Sequence, residues 1–206
     1  NSDILKNAFA ENSIRILWTP QQQINEEIDQ WTAQLTAREL DAQFPGIFDG
    51  AMLLAGGANI ILQLALPGVG YGVAESRVES GSILHHPIKR SRTTFTYLAV
   101  AMMGTSEEKL AYRRAVNRSH AQVHSTEDSP VKYNAFDENL QMWVAACLYW
   151  GFVDTHQKLH GPMSQQEQET FYQLAHPLGT TLQVRQDTWP KDLEAFEEYW
   201  QDGLQK

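Results

Sequence analysis

Residues Val131–His156 read VKYNAFDENLQMWVAACLYWGFVDTH. From Met142 to Val153 the run is almost wholly apolar, so it presents no polar face to water. A helix apolar on most sides belongs in the middle of a protein rather than on its surface. Asp137 stands where an N-cap is needed, with an oxygen that can accept from the free amides of a first turn. The run falls short of the roughly 20 residues that a membrane-spanning helix requires. It therefore predicts a buried core helix.

Working outward, AMLLAGGANIILQLALP (Ala51–Pro67) is the other strongly apolar stretch; apolar on most faces, it predicts the central helix, ended near Pro67. Gly68, Gly70 and Gly72 then predict a loop. A further helix is expected from about Lys89 through RSRTTFTYLAVAMM to Gly104. Thr105 and Glu108 form a capping-box pattern, opening a helix expected to carry both His120 and His124. STEDSPVKYNAF breaks the periodicity. Ser164 with Glu167 repeats the capping box, and Pro190 is expected to open a last helix with Leu193, Phe196, Trp200 and Leu204 on one face. Near the N-terminus, Thr19-Pro20 precedes Ile24, Ile28, Trp31 and Leu35 at helical spacing. No alternating strand, repeat or low-complexity tract is evident. The fold class is all-α: one domain over residues 1–206, with seven or eight helices about a central buried apolar helix.

The chain has 206 residues, of which 42% are hydrophobic and 10% aromatic, enough for a sizeable core. A net charge of −9 and a pI near 5.2 argue against a nucleic-acid partner. The single cysteine, Cys147, lies in the apolar run, so there is no disulfide framework and Cys147 is expected as a buried small hydrophobe. No signal-peptide pattern opens the chain, no transmembrane segment is expected, and the cytoplasm is slightly favoured while the compartment stays open. There is no dinucleotide fingerprint in GVGYG, no phosphate loop and no nucleophile elbow.

Candidate ligands are the histidines of RSHAQVHS, Arg118–Ser125. Tyr112, Val116 and Val123 set the apolar face of that helix. At 100° per residue His120 falls about 55° from its centre and His124 about 95° away. His120 is thus expected to point inward and His124 toward solvent. From spacing alone, a hydrogen-bonded core histidine and a ligand both stay open for His120. A second pair, His156 and His160, follows the central apolar run and is expected at the surface. Neither pair carries the glutamate of a zinc-protease helix.

Four stretches in order resemble one family. LLAGGANIILQLALPGVGYGVAES is similar to its glycine-rich helix and Gln-x-Ala-x-Pro loop. RSRTTFTYLAVAMMGTSEEKLAYRRAVNRSHAQVHS looks like its Arg-x-x-x-Thr helix followed by its His-x-x-Val helix. VKYNAFDENLQMWVAACLYWGFVDTH resembles its Tyr-x-Ala-x-Asp-x-x-Leu-x-x-Trp-Val signature. SQQEQETFYQLAHPLGTTLQV, with WPKDLEAFEEYW after it, is similar to its closing segment. The chain resembles the MpaB and rubber oxygenase (latex clearing protein) group over about residues 47–202. Two departures stand out: Thr93 occupies a place where some members carry a basic residue, and His124-Ser125 follow where a glycine is usual.

The resemblance implies an all-α domain binding haem b, with His120 as the iron ligand. It implies that Arg90 and Thr94 lie beside the haem, Arg90 holding a propionate or polarising bound O2 and Thr94 hydrogen-bonding a distal ligand. Glu75 is the candidate acid–base group. The implied chemistry is O2-dependent oxidation or cleavage of an apolar, isoprenoid-type substrate. Tyr133 and Trp143 are read as a loop anchor and a core aromatic. Two other functions compete: a non-enzymatic helical domain that binds an apolar ligand or partner without haem, and a non-haem metalloenzyme using His120 and His124.

Overall fold

A computed structural model describes residues 51–78, 82–83 and 85–205. The helix expected after Thr19-Pro20, with Ile24, Ile28, Trp31 and Leu35, lies outside the described residues. Those described form helices α1 (Ala51–Ala65), α2 (Pro67–Ala74), α3 (Pro87–Met103), α4 (Ser106–His120), α5 (Glu138–His160), α6 (Gln165–Ala175), α7 (Pro177–Thr180) and α8 (Leu193–Gly203). Among them there is no strand, only an isolated antiparallel bridge between His124 and Asn134.

The helix starts are set by local chemistry. Thr105 and Ser164 each accept from the amide three residues on, and Glu108 and Glu167 return the bond, so both capping boxes form. Asp137 accepts from Asn139 and Leu140 and starts α5. The last helix does not begin at Pro190. Asp192 caps it through the amide of Ala195, and Pro190 instead offers its carbonyl to the Tyr172 hydroxyl. Leu204, expected on the buried face, comes after this helix ends and is 49% exposed.

The central helix is α5, packed against α1, α6 and α7, and not the Ala51–Pro67 stretch expected at the centre: residues 55–65 of α1 are all half-buried or exposed. It buries Met142, Trp143, Ala145, Ala146, Cys147, Tyr149, Phe152 and Thr155. Burial pushes the Cys147 thiol up to about 12, which leaves it protonated and inert. Gly151 lets Asn59 of α1 come close enough to donate to the Cys147 carbonyl at 2.6 Å. The ring of Trp143 stacks on Trp200, which stacks in turn on Trp150, each pair with centroids 5.3 Å apart. Trp143 also donates to the Gln63 carbonyl, so α1, α5 and α8 meet at one aromatic ladder.

The segment after Leu66 is helix α2, not the loop its glycines suggested. Pro67 sits in its first turn, and α2 leaves α1 at 108°. The glycines are there for closeness rather than for turning. A Cβ at Gly68 would lie 2.8 Å from the Leu140 side chain, and one at Gly70 would lie 2.6 Å from the Leu64 carbonyl oxygen. Among the described residues no single helix is long and apolar enough to cross a membrane; only α1 with α2, as a sharply bent pair, has the length and composition.

Candidate functional site

α3 and α4 pack against each other, and this brings the expected ligand residues together. His120 closes α4 and is half-buried. Its Nδ1 is sealed from solvent and has no hydrogen-bond partner among the described residues. Such an atom costs about 1–3 kcal/mol, a cost usually explained by strain, a functional role or an absent partner. Burial, with the nearby Arg90 charge, lowers the His120 pKa to about 4, so the imidazole is neutral at physiological pH. On one side the ring of Phe136 stands edge-on, centroids 6.3 Å apart at 74°. The inward placement expected of His120 is what the fold contains.

Arg90 lies in the first turns of α3. It is exposed by area, yet desolvation pulls its pKa below the usual arginine value. The Tyr112 ring of α4 lies within reach of its charge: burial raises the Tyr112 pKa and Arg90 opposes the rise. The Tyr112 hydroxyl donates to the Thr93 carbonyl at 2.8 Å, tying α4 to α3 between Arg90 and Thr94. Thr93 and Thr96 bond back to carbonyls of their own helix, whereas the half-buried Thr94 shows no side-chain hydrogen bond among the described residues. Next to Thr94, the Phe95 ring faces Gly56 of α1, where an added Cβ would lie 3.8 Å away.

Glu75 follows α2 and is exposed. Its Oε2 accepts from Ser129 Oγ and from Tyr133 Oη, each at 2.7 Å, and these bonds hold its carboxyl below the usual carboxylate range. It borders a small polar cavity of about 160 Å³ with His124, Asp128 and Tyr133. Neither His120 nor Arg90 lines that cavity. Tyr133 is a loop anchor and Trp143 a core aromatic, as read from the sequence.

His124 is not on the helix that holds His120, contrary to expectation. α4 stops at His120, where Ala121 is the C-cap and the Val123 amide turns back to the His120 carbonyl. Residues 123–125 then pair with 133–135, leaving His124 exposed. The two histidines thus share no helix face, and no group of three or more His, Cys, Asp or Glu able to hold a metal occurs among the described residues. His156 and His160 end α5 with ring centroids 4.9 Å apart; His160 is exposed and His156 half-buried.

Sequence reasoning missed Tyr112 as a site residue, reading it only as part of the apolar face. It stands two turns before His120 on the same side of α4, which was the available signal.

The family described as "ER-bound oxygenase mpaB/B'/Rubber oxygenase, catalytic domain" matches residues 47–206. An uncharacterised protein of Mycobacterium tuberculosis and one of Mycobacterium bovis are each 56% identical over 156 residues, covering 74% of this chain and 61% of theirs. The chain thus spans about three fifths of the length of these relatives. No solved structure matches it. With the family signature running through the helices that carry Arg90, Thr94 and His120, the chain belongs to the MpaB/rubber oxygenase catalytic-domain family.

Proposed function

We propose that this chain is the haem b-binding part of an oxygenase that acts with O2 on an apolar, isoprenoid-type substrate. The observation that carries the reading is His120: a neutral imidazole with a sealed Nδ1 that has no hydrogen-bond partner among the described residues, set near the charge of Arg90, which pairs with no carboxylate among the described residues. A metal ligand must be neutral imidazole, and a pKa of about 4 keeps it so down to mildly acidic pH. The donor set suits a haem: one nitrogen ligand for iron and one fixed cationic fork for a propionate.

When bound, the haem supplies O2 binding and activation. The protein's own residues do the rest. His120 offers its lone pair. Arg90 holds a carboxylate or polarises an oxygen, because its guanidinium presents several donors in a fixed geometry. Thr94 contributes a hydroxyl not committed to its own helix. Tyr112 ties α4, which carries His120, to α3, which carries Arg90. Glu75 is a candidate only as a proton acceptor, since its hydrogen bonds keep it a carboxylate. Ile61 and Ile88, 72% and 85% exposed, offer apolar surface on α1 and α3 for such a substrate.

The test is oxygen uptake by haemin-reconstituted protein with a short polyisoprene, together with detection of new carbonyl ends. Uptake that requires both the alkene and His120 supports the reading. Absence of alkene-dependent uptake and of carbonyl products contradicts it.

A further inference from the structure

We propose that Glu75 is a positioning residue: its carboxylate clamps the strap of residues 121–135 to the end of α2, and the strap holds Phe136 against His120. The inference rests on His120 being the group-binding residue of the site. The strap leaves His120 and returns to Phe136, whose ring meets that of His120. Its two arms are paired: the Ser125 amide donates to the Tyr133 carbonyl at 2.8 Å, and the Ala135 amide to the Val123 carbonyl at 2.9 Å. At its start the Val123 amide donates to the His120 carbonyl at 2.9 Å. Both donors to Glu75 come from this strap. Ser129 Oγ gives its proton to Glu75 and itself accepts from the Thr126 amide at 3.0 Å, so the tip is tied through one oxygen.

Three residues before Glu75, the Tyr133 ring packs on α2 at Gly72, where a Cβ would lie 3.5 Å from it, in ordinary contact. Ring and hydroxyl of Tyr133 thus meet the same short helix. A strap of this length has many conformations to lose, and a pair of hydrogen bonds at its far end removes the freedom that would let its near ends part. Acid–base work requires the carboxyl to exchange a proton. Positioning requires only an acceptor oxygen, which Gln retains.

Glu75→Gln, Glu75→Ala and Tyr133→Phe test the clamp. Amide hydrogen exchange over residues 121–135 is measured on the haem-free protein, and the Soret band on the same variants with one equivalent of haemin. Expected are exchange about tenfold or more faster in Glu75→Ala, a smaller increase in Tyr133→Phe, and near wild-type exchange in Glu75→Gln, with α5 unchanged throughout. The Soret band should weaken or shift in the same order. Should Glu75→Ala fail to fold, Tyr133→Phe against Glu75→Gln decides the matter. Unchanged exchange in the strap, or Glu75→Gln behaving like Glu75→Ala, overturns the clamp. A wild-type protein without a Soret band overturns the haem reading, while the exchange data still judge the clamp.

Discussion

Arg90 and His120 belong to different helices, yet the Arg90 charge acts on the His120 imidazole and adds to the burial that holds its pKa at about 4. An unfolded histidine titrates near 6.5. Between about pH 6.5 and about 4 the unfolded chain therefore binds a proton that the folded chain does not. His120 makes stability fall as pH drops across that window, by up to about 3 kcal/mol if the whole shift is realised. Urea unfolding of the haem-free protein at pH 7 and pH 4.5 checks this. His120→Leu should flatten the dependence, and its stability at pH 4.5 should equal or exceed that of the wild type.

Removing the Arg90 charge should raise the His120 pKa. Because burial is the larger cause, Arg90→Gln should leave the pKa between about 4 and the ordinary 6.5 rather than restore it. NMR titration of the imidazole protons reads this directly. The same variant should bind haemin more weakly, by roughly tenfold for loss of one charge-assisted contact.

Gly70→Ala should destabilise by roughly 1–3 kcal/mol. The new Cβ would meet the Leu64 carbonyl oxygen, a backbone atom that cannot swing aside, so the bend between α1 and α2 must open. Gly57→Ala is the control: nothing among the described residues lies within 4 Å of its Cβ, and helix propensity should make it neutral or stabilising. Thermal unfolding of the two variants checks the contrast.

Trp200→Ala should cost about 3–5 kcal/mol, because Trp200 is 3% exposed and its ring lies between those of Trp143 and Trp150. Trp150→Ala, at 36% exposure, should cost less. Denaturant midpoints at unchanged slope distinguish them.

The parts legible in the sequence are those governed by neighbours in the chain. Both capping boxes and the Asp137 cap need only residues two or three apart, and each formed. The inward turn of His120 followed from helical spacing. The helix α2 was not legible, because Gly68, Gly70 and Gly72 signal a turn locally, and Gly68 and Gly70 are explained only by Leu140 and Leu64 pressing on them. Nor was the stop of α4 at His120, where neither Gly nor Pro marks the end and the pairing of residues 123–125 with 133–135 supplies it. The Glu75–Tyr133 bond joins residues 58 apart, and no local pattern announces such a contact.

The most direct measurement is the absorption spectrum of the protein with one equivalent of haemin, beside His120→Ala. The account predicts a sharp Soret band in the wild type that the substitution shifts or abolishes. A free-haemin spectrum from both proteins would contradict it and leave a helical domain that binds an apolar ligand or partner without haem.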